Sequence, residues 1–196
     1  MPEALHAYKL IPLDGAGYFL GILLIVLHGT ALLFPAKTRA VMLNLHDRTG
    51  TAAALLAVDF LWIFLLIADI SGTRLGVDLD FFAPYRPILL LACPLMWVLL
   101  VAYVRELLFP RALGLFLLLL ACPLLEAAFL KDPVSRLLIP VWCYIVITLS
   151  LFWVAKPYLF RRMAVFVASR PVLFAALAWG GLLYGVAVLA AAVFLW

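Results

Sequence analysis

The chain has 196 residues, of which 69% are hydrophobic and 12% charged, and its mean hydropathy is +1.23. That composition excludes a water-soluble domain with an anchor, because the longest polar connection, roughly 15 residues, is too short to enclose a water-facing core. The formal net charge of +4 is small, and the Lys and Arg behind it sit mostly in short loops beside apolar runs, where they set orientation and meet anionic lipid, not nucleic acid.

The N-terminal segment MPEALHAYKLIPLD places Glu3 and Asp14 around Lys9 and has no short apolar stretch, so it does not read as a cleaved signal peptide. Six runs of about 20 apolar residues follow, each long enough to cross a hydrocarbon core of about 30 Å at 1.5 Å per residue. They predict an all-α integral membrane protein, a single bundle of six transmembrane helices at 15–34, 51–71, 87–104, 112–130, 137–155 and 171–195. Pro35, Pro110, Pro133 and Pro157 follow apolar runs and are expected to end helices, because proline removes a backbone donor. Pro87 and Pro171 stand at helix starts, where that donor has no partner anyway.

Two connections mix basic and apolar residues at roughly helical spacing. Segments 36–48 and 156–170 are expected either to lie on the membrane surface as short helices or to be ordinary positive loops. Lys37, Arg39, Arg161 and Arg162 are the residues expected at lipid headgroups. The side of the bundle holding these connections carries nine Lys and Arg: Lys37, Arg39, Arg48, Arg105, Arg111, Lys156, Arg161, Arg162 and Arg170. The opposite side carries five, Lys9, Arg74, Arg86, Lys131 and Arg136, together with the acids Glu3, Asp14, Asp78, Asp80 and Asp132. The positive-inside bias therefore puts both termini on the non-cytoplasmic side of a plasma membrane of bacterial type.

Cys93, Cys122 and Cys143 all fall within apolar runs with no paired spacing, so they read as small apolar fillers and not as a disulfide, zinc or redox set. ILLLACPL at 88–95 recurs as LLLLACPL at 117–124, and the prolines in both copies predict two kinked neighbouring helices. Arg86-Pro87 and Arg170-Pro171 open the third and sixth spans, as two inverted three-helix halves would require. The two echoes imply different repeats, so at least one is accidental. Gly17 with Gly21, and Gly181 with Gly185, form GxxxG motifs that let helix backbones approach closely, within one subunit or between two copies.

Ionisable groups at bilayer depth are costly and are functional candidates by default. Four qualify: His28, Asp59, Asp69 and Glu126. His28 and Asp59 lie about 9 and 12 Å from the inner ends of two sequential, antiparallel spans, so a His–Asp pair is expected there. Asp69 lies near the outer end of the second span, and Glu126 is about 6 Å from the outer end of the fourth. Together the four suggest a polar ladder for protons or cations. The competing reading has Asp69 and Glu126 reaching headgroups and Asp59 bonding a neighbouring helix.

Weaker constellations point to little chemistry. Asp78 and Asp80 supply two carboxylates, too few for a divalent-cation cage. His46-Asp47-Arg48 has no nucleophile at a recognisable spacing. Only His28 lies within a span, so a bis-His haem is not expected. No metal or cofactor is implied, and no polar signature of a lipid phosphatase, a CDP-alcohol transferase or a rhomboid-type protease stands in or beside the spans. Six spans in so short a chain also suit the small substrate-binding subunits of vitamin transporters, but the predicted outside N-terminus argues against that. Three functions remain. The first is a small non-catalytic subunit of a larger membrane assembly, packing against other subunits or itself. The second is a small transporter or channel using Asp59 and His28. The third is a lipid-modifying enzyme near His46, Arg161 and Arg162.

Overall fold

The computed structural model describes residues 7–45, 48–68, 84–103 and 107–196. Among them are eight α-helices and no strand: α1 (Leu13–Leu33), α2 (Pro35–Asn44), α3 (Thr49–Ala68), α4 (Arg86–Tyr103), α5 (Leu108–Ala128), α6 (Leu138–Ala155), α7 (Tyr158–Ala168) and α8 (Pro171–Phe194). Six of these are long and apolar enough to cross a membrane, all but α2 and α7. The chain is a multi-pass, all-helical membrane protein. Large apolar side chains such as Ile22, Leu61, Leu91 and Leu183 stand outward in numbers no water-soluble surface tolerates.

Proline marks the boundaries, though not always as expected. Pro35 does end the first span, but as the opening residue of α2. Pro110 does not end a helix. It sits in the first turn of α5, where its missing N–H would have had no intrahelical partner, and the chain turns instead at Leu107, whose φ is 53°. The other end of α5 closes on Leu130, also left-handed at φ 51°, in the position glycine usually takes after a helix.

α5 is the central helix. It packs against α3, α6 and α1, and receives the 3-10 turn Ala7–Leu10 at its far end. Leu20, Leu24, Leu120, Leu124, Ile139 and Val188 fill the main core, shared by α1, α5, α6 and α8. Ala52, Leu56, Phe109 and Ala112 fill a second core between α3 and α5. α3 and α5 run parallel, Ala52 and Leu56 lying beside Leu108 to Ala112, and Trp62 meeting Phe116 edge-on at 6.2 Å between centroids.

α1 and α8, the first and last spans, run antiparallel along one another. Small residues set their separation. A side chain at Gly21 would come within 3.1 Å of the Gly185 carbonyl oxygen, and one at Gly185 within 3.1 Å of the Gly21 carbonyl oxygen. Gly17 faces Ala192 and the Trp196 ring, and Gly181 faces the His28 ring. The two GxxxG motifs thus meet each other inside one chain.

The two ACPL copies occupy unlike environments. Cys93 is buried and donates to the Phe60 carbonyl at 3.2 Å, while Pro94 is exposed. In the second copy Cys122 is exposed and Pro123 buried. α4 and α5 are not packed neighbours either, because α3 lies between them. Nor is there a threefold-plus-threefold arrangement: α1 lies along α8, yet the spans that would be equivalent, α5 and α4, barely touch.

Candidate functional site

α3 presents Ala52, Leu56 and Asp59 on one face, at helical spacing, and all three are buried, Ala52 and Leu56 against α5. Asp59 lies ten residues beyond Thr49, about 15 Å along a helix of about 30 Å, and so at mid-depth. Its exposure is 0%, and neither carboxylate oxygen has a hydrogen-bond partner. One turn further on, Trp62 donates from its indole Nε1 to the Tyr8 hydroxyl at 2.6 Å. The N-terminal turn is thereby fastened across the end of the α3–α5 seam. Burial pushes the Tyr8 phenol above the ordinary tyrosine range, against the opposing pull of the indole donor.

His28 is held elsewhere. Its Nδ1 lies 2.8 Å from the Leu24 carbonyl one turn back. A carbonyl only accepts, so Nδ1 carries the proton. The ring packs over Gly181 of α8, where any side chain would displace it. The expected His28–Asp59 pair is therefore not formed. Being sequential and antiparallel did not make α1 and α3 neighbours, since the long run of small residues on α8 draws α1 to it and α5 takes the place beside α3.

Glu126 is half-buried near the end of α5, two residues before its last. Asp69, Asp78, Asp80, His46 and Asp47 lie outside the described residues. Of the ladder proposed from sequence, the described members thus stand at separate places: His28 on the α1–α8 seam, Asp59 on the buried face of α3 and Glu126 near the end of α5. Among the described residues no group of three His, Cys, Asp or Glu could hold a metal ion.

Several polar residues have surroundings that the sequence does not reveal. Ser150 of α6 is fully buried and its hydroxyl has no partner, unlike Thr148, which donates to the Tyr144 carbonyl at 2.7 Å. The indole nitrogen of Trp153 is likewise buried without a partner. At the end of the bundle that holds Ala7–Leu10 and Trp196, Tyr184 donates to the Leu138 carbonyl at 2.6 Å and Trp196 to the Ser135 hydroxyl at 2.8 Å. At the opposite end α2 packs on α7, where Arg39 Nε donates to the Ala168 carbonyl at 2.6 Å, meeting one of the carbonyls left over at that helix end. Lys37 stands 5.6 Å above the Phe34 ring, and Arg161 and Arg162 are exposed.

Apolar grooves along the described residues include two on the outside of the bundle. One, of about 300 Å³, lies between α3 and α4 beside Phe60, Leu61, Pro94 and Trp97. The other, of about 520 Å³, lies between α7 and α8. Compared with protein-family models, with curated proteins and with solved structures, the chain matches none of them.

Proposed function

We propose that this protein is a small, non-catalytic subunit of a larger membrane assembly. The observation that carries this reading is the position of α4. This full-length span packs on α3 through one face, and Cys93 is its one buried residue. Leu91 is 73% exposed, and Ile88 and Leu95 also face outward. Between helices in lipid the hydrophobic effect gives little, and packing contact gives most of the attraction. A span held by one face gains stability from a second protein helix laid against the other, and the groove beside Pro94 offers a notch for its side chains. The separate placement of His28 and Asp59 supports the same reading, since it leaves no described chain of polar groups through the bundle. A photo-crosslinking residue at Leu91 in native membranes should capture a discrete protein band, while one at Val26 on α1 should capture lipid. Capture of lipid alone from every outward position of α4 would remove the reading.

One observation favours transport as the second reading: a mid-depth carboxyl with no partner in its own chain. A lone carboxylate is too costly in a dry interior, so it is neutralised by a proton, wetted, or paired with something outside the chain. Purified protein in liposomes would then discharge a proton gradient, and Asp59→Asn would abolish this while the protein still accumulates. In both readings α2 and α7 face the cytoplasm, with Lys37, Arg161 and Arg162 at the headgroups, following the positive-inside bias.

A further inference from the structure

The groove between α7 and α8 differs from the one beside α4 in carrying charge. Met163, Phe166 and Val167 of α7 form one wall, and Leu173 and Leu177 of α8 the other. Arg162 is the charged residue in the lining. Arg170, at the turn into α8, lies with its guanidinium 3.8 Å from the centroid of the Phe166 ring. Arg162 thus lines a slot whose walls are otherwise apolar, and the Arg170 guanidinium lies against Phe166, one of its wall residues.

The slot has a direction. Leu177 lies six residues into α8, about 9 Å from Pro171 and towards the middle of the membrane. Arg162 belongs to the short helix at the membrane end of the bundle, which also carries Arg161. Charge at the rim and apolar walls running inward match the order of a phospholipid, headgroup first and acyl chain below. The volume of about 520 Å³ lies within the range of small-ligand sites.

The sign of the headgroup follows from the sequence. No Asp or Glu occurs anywhere from Pro133 to Trp196, and α2, which packs on α7, has none either. Lys156, Arg161, Arg162 and Arg170 thus have no acid in their own part of the chain to neutralise them. The side of α7 turned away from the groove is committed to protein: Ala164 and Ala168 are buried, and the Ala168 carbonyl receives Arg39. We propose that the α7–α8 groove binds one anionic phospholipid, with its phosphate between Arg162 and Arg170 and an acyl chain between Phe166 and Leu177. The bound lipid fastens the surface helix to the last span.

Native mass spectrometry of the purified chain in mild detergent tests this, with phosphatidylglycerol and phosphatidylcholine offered at equal concentration. The wild type should retain one phosphatidylglycerol and little phosphatidylcholine, with at least a tenfold preference. Raised salt should weaken that preference, since the contact is charged and lies at the surface. Arg162→Gln with Arg170→Gln should reduce retention about tenfold, Arg162→Lys should keep most of it, and Leu177→Trp should block it by filling the slot. Equal retention of both lipids by the wild type would overturn the proposal, as would undiminished retention by the double glutamine variant. The wild-type comparison and its salt dependence need no substitution, so a variant that fails to accumulate leaves the test intact.

Discussion

The glycine-lined contact between α1 and α8 invites a paired substitution. Gly180 and Gly185 lie on the same span, but a methyl group added at Gly180 meets nothing within 4 Å. At Gly185 it would stand 2.8 Å from the Leu24 Cβ, 3.1 Å from the Gly21 carbonyl oxygen and 3.1 Å from the Ile25 nitrogen. Two of those three atoms belong to the backbone of α1 and cannot rotate away, so α1 and α8 must part. Overpacking of this kind costs about 1–3 kcal/mol. Both changes gain the same helix-forming advantage of alanine over glycine, about 1 kcal/mol, which cancels in the comparison. Gly185→Ala should therefore be less stable than Gly180→Ala by about 1–3 kcal/mol, a factor of about 5–150 in the unfolding equilibrium. Titration with a denaturing detergent, followed by circular dichroism or by fluorescence of the tryptophans, reads this difference. Equal stability of the two variants would refute the account of the α1–α8 seam.

Other consequences are equally direct. Leu130 holds a left-handed backbone with its side chain 77% exposed, so Leu130→Gly should stabilise the chain by about 1 kcal/mol, read in the same titration. Trp62→Phe removes the donor to Tyr8 and should cost about 1 kcal/mol while hastening proteolysis of the N-terminal segment. The Tyr8 phenol is raised by burial above an unfolded value near 10, so the folded state holds its proton more tightly. Its stabilising contribution is complete below about pH 10 and is lost as pH rises through the higher folded value, and the N-terminal segment should loosen first in an alkaline titration followed by limited proteolysis. Asp59→Leu removes a buried carboxyl that has no partner in the chain, so the isolated protein should become more stable by about 1–3 kcal/mol in the detergent titration.

The spans were legible in the sequence because bilayer thickness dictates their length, and proline and charge punctuate them. The structural helices begin and end within a few residues of the runs read from composition. The largest difference comes at α5, where the sequence reads Pro110 as a stop and the structure shows it inside the first turn. α2 and α7 were visible as basic, apolar segments after the first and fifth spans, and both are helical. Which helices touch was not legible. Apolar faces toward lipid and toward other helices have the same composition, so nothing in residues 51–71 says that their neighbours are α4 and α5 and not α1. The glycines of the first and last spans did carry pairing information, since closely packed helices need small residues on both sides of the seam. Asp59 stands out as the deepest acid, yet its lack of a partner depends on which helices pack against α3, which no local pattern states. Ser150 left no signal at all, because serine in a span ordinarily bonds back to its own helix.

The central claim is that this chain works as part of a larger assembly, and the most direct measurement is gentle purification from the native membrane followed by mass spectrometry of everything retained. The account predicts one or more membrane proteins in stoichiometric amount, lost or weakened when Ile88, Leu91 and Leu95 on the open face of α4 are changed together to alanine. A lone monomer or homodimer that discharges a proton gradient in liposomes, and ceases to do so with Asp59→Asn, would contradict it.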